Sequence, residues 1–141
     1  MTEAHRADGT AHTTSPSIWR TAAIAGVLAA VATTVIGAIA KAADVSLELG
    51  DLEVQVPAFA VFTIIGAVIG AVIATQVQKR SAQPRRTFVV ATVALTALST
   101  VPDLSADATT ATKLTLIAAH LVAAAVIIPA LAARLSARRA D

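Results

Sequence analysis

Four apolar runs, separated by short polar or charged segments, set the organisation of the chain. The first goes from Ile18 to Ala40 and is interrupted only by Arg20 near its start and by three threonines. At about 1.5 Å per helical residue it is long enough to cross a hydrocarbon core of roughly 30 Å. The second, Pro57 to Val77, carries no charge; Pro57 suits a first helical turn, and Gln78, Lys79 and Arg80 close the far end. The third, Thr87 to Leu104, is shorter and holds Thr92, Thr96, Ser99 and Thr100, with Pro102 and Asp103 expected to end it. The fourth goes from Lys113 to about Ala133, with His120 and Pro129 inside and Arg134, Arg138 and Arg139 beyond.

The expected fold is therefore all-α and integral to the membrane: an antiparallel bundle of four transmembrane helices forming one domain over residues 18–135. Residues 1–17 show no apolar period and read as a disordered cytoplasmic tail, and residues 136–141 as a short basic cytoplasmic tail. A secretory signal cleaved after Ala38-Ile39-Ala40 competes with the first span. Its apolar core would exceed the roughly 7 to 15 residues such signals use, which favours a retained helix.

Between the first two spans, residues 41–56 follow a different period. Val45, Leu47 and Leu49 alternate with Ser46 and Glu48; after Gly50-Asp51, Leu52, Val54 and Val56 alternate with Glu53 and Gln55. This predicts a short β-hairpin outside the membrane, pairing Leu49 with Leu52, Leu47 with Val54 and Val45 with Val56, so that all apolar side chains share one face. The same register sets Glu48 across from Glu53, a repulsion that a nearby cation would relieve.

Charge then orients the bundle. Nine of the eleven Lys and Arg residues lie in the N-terminal segment, the second loop and the C-terminal tail, and only Lys41 and Lys113 lie in the other two loops. Positive residues near span ends are retained in the cytoplasm, so both termini are expected there, in a multi-pass protein of the inner (plasma) membrane. Arg85, Arg86, Arg138 and Arg139 read as cytoplasmic anchors.

Composition narrows the chemistry. The chain of 141 residues is 56% hydrophobic, 3% aromatic and 14% charged, too few charges to coat a soluble domain. No cysteine is present, which excludes disulfides and thiolate metal sites. A net charge of +2 does not imply nucleic acid, because the basic residues sit at span ends and not on one soluble face. No nucleophile with a base and orienting acid, no HExxH and no glycine-rich phosphate loop occurs, so no enzyme, cofactor or metal site is expected.

His120 is the one ionisable side chain well inside a span, and such groups are functional candidates by default. Thr92, Thr96 and Ser99 recur at helical spacing, Asp103 continues their stripe, and Ser99 falls near the depth of His120 in an antiparallel pair. His120, Ser99, Thr96 and Asp103 thus form a candidate polar site for protons or a ligand. The blander reading is a neutral imidazole hydrogen-bonded across two helices, a contact worth about 1 kcal/mol. A single histidine also argues against bis-histidine haem, which needs two axial ligands. Gly66 and Gly70 make a GxxxG segment, and Gly26 and Gly37 belong to a small-residue stripe in the first span; both are expected to pack helices closely, within the chain before between chains. Pro129 should kink the fourth helix.

The second half of the chain resembles a family of small, uncharacterised actinobacterial membrane proteins, the domain of unknown function numbered 6069. The residues that carry the resemblance are Pro84 to Phe88 (PRRTF), Leu98 to Asp103 (LSTVPD) and Ala111 to Pro129 (ATKLTLIAAHLVAAAVIIP), with a His followed nine residues later by Pro. The resemblance implies four membrane helices and no assigned activity. Function is accordingly expected to be that of a non-enzymatic accessory or structural membrane component, with lipid around it and a second copy or another membrane protein as its partner. The alternative is a ligand-, lipid- or proton-responsive component built around His120.

Overall fold

The computed structural model describes residues 16–135. Most of the expected N-terminal tail, and the C-terminal tail with Arg138 and Arg139, lie outside the described residues. Four helices follow in order: α1 (Pro16–Ala42), α2 (Val56–Arg80), α3 (Pro84–Ser105) and α4 (Thr110–Ala132), with a two-stranded hairpin, β1 (Glu48–Leu49) and β2 (Leu52–Glu53), between α1 and α2. All four are long and apolar enough to cross a membrane. They form an antiparallel bundle in which α1 packs on α2 and α4, while α3 packs on α4 and α2. The bundle has an arginine end, at the α2–α3 turn, and a hairpin end.

Along α1, small side chains point inward and most large apolar ones outward. On α1, Ala22, Ala25, Ala29, Thr33 and Ala40 are buried, whereas Ile24, Val27, Leu28, Val31, Val35 and Ile39 are exposed. A soluble helix would do the reverse. Lipid removes the hydrophobic drive between helices and leaves close packing to hold them, which small residues allow. Toward the arginine end the core joins Ile18, Ala22, Ala71, Ala74, Phe88 and Leu131; toward the hairpin end it joins Ala40, Leu47, Phe59 and Ala119.

The glycines divide by what faces them. A Cβ on Gly26 would stand 2.9 Å from the Ala67 Cβ, and one on Gly37 would stand 2.8 Å from the Phe59 ring, so both hold α1 against α2. Gly70 instead faces Leu131 of α4, and Gly66 has nothing within 4 Å. The expected GxxxG contact is therefore not one seam. The inward stripe of α2 is Thr63, Ala67, Gly70 and Ala74, and Gly66 falls outside it.

The hairpin keeps its central register, Glu48 opposite Glu53 and Leu49 opposite Leu52. Gly50 supplies the positive φ of 59° that a tight turn requires at its first central position. The outer pairing of Val45 with Val56 is not made, for a physical reason. Asp44 has φ 58° and ends α1 in a left-handed cap, with the Asp44 N–H donating to the Lys41 carbonyl and the Val45 N–H to the Ala40 carbonyl. Val45 is thereby captured by α1, and Val56 already belongs to α2. Nor do all apolar side chains share a face: Leu52 is exposed, while Leu47, at φ 53°, is buried beside Phe59 and Ala119.

Pro102 does not end α3, which runs on to Ser105. Proline lacks one N–H but leaves its own carbonyl free, and here that carbonyl accepts from the Ala106 N–H at 2.8 Å. Pro129 likewise lies inside α4.

Candidate functional site

At the hairpin end, three local devices bring α3, α4 and the hairpin to one corner. Thr109 caps α4 by accepting from the Thr112 N–H at 3.2 Å, which starts the helix three residues earlier than its apolar run suggests. The Lys113 ammonium reaches across to the Leu104 carbonyl at 2.9 Å. The Gly50 N–H at the hairpin tip donates to the Asp107 carbonyl at 2.7 Å.

Because α3 continues through Pro102, Asp103 sits in its last turn and faces α4. Its Oδ2 lies 3.3 Å from the His120 Nδ1. That oxygen is fully buried and makes no aligned hydrogen bond. The contact is thus near enough for charge attraction but is not aligned as a hydrogen bond. The two sides differ in access: the Asp103 side chain is 17% exposed and His120 is 41% exposed.

The other expected members of the site do not join it. The exposed Ser99 hydroxyl donates to the Thr96 carbonyl at 2.8 Å, and the Thr96 hydroxyl to the Thr92 carbonyl at 2.8 Å. Each hydroxyl is satisfied by its own helix, a common resolution for Ser and Thr in an apolar setting. The imidazole's partner is Asp103, not Ser99. Other charges at this end of the bundle are Lys113 on α4, Asp107 between α3 and α4, Lys41 and Asp44 where α1 ends, and Glu48, Asp51 and Glu53 in the hairpin.

Two further polar contacts tie α1 to the elements that follow it. The buried Thr33 and Thr63 hydroxyls, both on small-residue stripes, meet at 2.9 Å across α1 and α2. Lys41 bonds Glu53 at 2.7 Å, supplying the cation that the Glu48–Glu53 register calls for. The Glu53 carboxyl is held below the usual glutamate range, chiefly by that hydrogen bond and then by the lysine charge. Of the expected anchors, Arg85 and Arg86 are exposed at the arginine end, beside a groove of about 430 Å³.

Four apolar helices around small-residue seams, with a carboxylate and an imidazole facing each other at one end, define a small multi-pass membrane protein. The chain belongs to the Family of unknown function (DUF6069), whose model matches residues 13–137. Neither curated proteins nor solved structures yield a match to the chain.

Proposed function

We propose that the protein acts without catalysis, as an accessory component of the inner membrane whose hairpin end faces outward and responds to protons through Asp103 and His120. One observation carries this reading: a buried carboxylate oxygen, satisfied by no aligned hydrogen bond, faces a single imidazole that is 41% exposed. Histidine is the side chain whose charge changes near physiological pH. A protonated ring attracts the carboxylate and draws α3 onto α4, and a neutral ring relaxes that attraction. The outward orientation rests on the excess of Lys and Arg at the other end.

A static clasp is the second reading. The Lys113–Leu104 and Gly50–Asp107 contacts tie the same corner without any titration of His120, and favour it.

One experiment separates them. The full chain in nanodiscs is followed by NMR of the His120 ring over about pH 5 to 8, and by the distance between spin labels at the exposed Leu104 and Leu114. Proton response requires that the label distance change with the ring titration and that Asp103→Asn remove the change. A distance indifferent to pH leaves only the clasp. Reporter fusions after Arg80 and near Gly50 test the orientation; a cytoplasmic reading near Gly50 would reverse it.

A further inference from the structure

At the α2–α3 corner of the arginine end stand three exposed arginines, with no acidic residue at that end among the described residues. Arg80 closes α2, and Arg85 and Arg86 open α3. Every acidic residue among the described ones, Asp44, Glu48, Asp51, Glu53, Asp103 and Asp107, lies at the opposite end of the bundle. Retention of positive charge on one side of a membrane would account for the arginines as point charges anywhere in the loop. It does not account for their setting. Arg85 and Arg86 border a groove of about 430 Å³ whose remaining walls are Gln83, Pro84, Val89 and Val90. A second groove of about 340 Å³ opens on the α2 side of the same corner, with Arg80 and Thr87 among its lining residues. The exposed lining of the first groove is almost wholly apolar, so Arg85 and Arg86 border it through their apolar atoms, and Val89 and Val90 continue it one turn further along α3.

A ligand that fits must carry negative charge at one end and hydrocarbon at the other. Free phosphate would leave the valine wall uncovered, and a zwitterionic headgroup would offset its own phosphate. We propose that the groove along Pro84 to Val90 binds an anionic phospholipid of the surrounding leaflet, its phosphate held by Arg85 and Arg86 and an acyl chain lying along Val89 and Val90. Guanidinium suits this role because its planar fork binds phosphate oxygens bidentately.

The test uses the full chain with equal amounts of phosphatidylglycerol and phosphatidylcholine, with retained lipid counted by native mass spectrometry. Each basic residue at an anionic surface is worth roughly a fivefold factor, so the pair predicts a preference on the order of 25-fold for phosphatidylglycerol. Arg85→Gln with Arg86→Gln should bring the ratio near unity. Val90→Trp keeps both charges and fills the groove, and should also abolish the preference. Arg20→Gln, which removes an exposed arginine of α1 at the same end, should leave it unchanged. Equal retention of both lipids by the wild type overturns the site. So does a preference that survives either groove variant, or one that Arg20→Gln weakens as much as the arginine pair does, because attraction would then be diffuse.

Discussion

The seam between α1 and α2 and the packing of α3 on the bundle are built on opposite plans. Along the first, side chains of α2 lie within 3 Å of where a Cβ on Gly26 or Gly37 would stand, alanines are fully buried, and two hydroxyls meet across the interface. Along α3, only Pro84, Phe88 and Thr92 are buried. Leu95, Leu98, Val101 and Leu104 are exposed, and the Thr92, Thr96, Ser99 and Thr100 hydroxyls bond back to their own helix. In lipid, helices gain little by merely hiding apolar surface from one another, so closeness of approach sets the strength of a seam. By that measure α1 and α2 form the frame, and α3 is the helix with least to lose by shifting. Among the described residues, the one acid–imidazole contact is made by α3, through Asp103 against His120 of α4.

The sharpest way to break this contrast is to overpack the frame. Gly26→Leu should destabilise the protein by about 3 kcal/mol, because even its Cβ meets the Ala67 methyl, which has no rotamer to escape into. Gly66→Leu, with open space around it, should change stability by less than about 0.5 kcal/mol. Unfolding in mixed detergent followed by circular dichroism reads both. Equal losses would mean that α2 is rotated from the orientation described.

Next in size is the hydroxyl pair. Thr33→Val and Thr63→Val should each cost about 1 kcal/mol, with a coupling of similar size in the double variant. The effect is limited because the remaining hydroxyl can turn to a carbonyl of its own helix. Strict additivity in the double-mutant cycle would show that the two threonines pack without bonding.

These seams were partly legible from residues alone. A span is a one-dimensional signal, so four apolar runs gave four helices, and alternation around Gly50-Asp51 gave the pairing of Glu48 with Glu53. Whatever depends on rotation or axial offset was not legible. Which of Gly66 and Ala67 turns inward is decided by contacts with α1 and α4, not by the GxxxG spacing. Whether Ser99 or Asp103 meets His120 depends on how far α3 runs past Pro102 and where Thr109 starts α4, since one helical turn exchanges the two. The Val45–Val56 pairing failed because the cap of α1 claims the Val45 N–H, a competition that strand alternation does not reveal.

The smallest expected effect tests how the hairpin is fastened over the frame. Lys41, in the last turn of α1, holds Glu53 of β2 at 2.7 Å, and both side chains are more than half exposed. The Glu53 carboxyl is held below the usual range, first by the hydrogen bond and second by the charge of Lys41, with burial opposing slightly. A carboxylate depressed in the folded state stabilises that state above its unfolded value, near 4.3, and the stabilisation is lost as pH falls through the lower folded value. Fastening by this contact is thus complete at neutral pH and fades only in acid, below the range where histidine changes charge. Carbon NMR of the Glu53 carboxyl in wild type and Lys41→Gln measures it: the variant's midpoint should rise toward that of an ordinary glutamate. The Gly50 amide, bonded to Asp107, should shift along with it if the hairpin moves as a unit. An unchanged midpoint would remove Lys41 as the fastening and leave Leu47, buried beside Phe59, as what seats the hairpin on the frame.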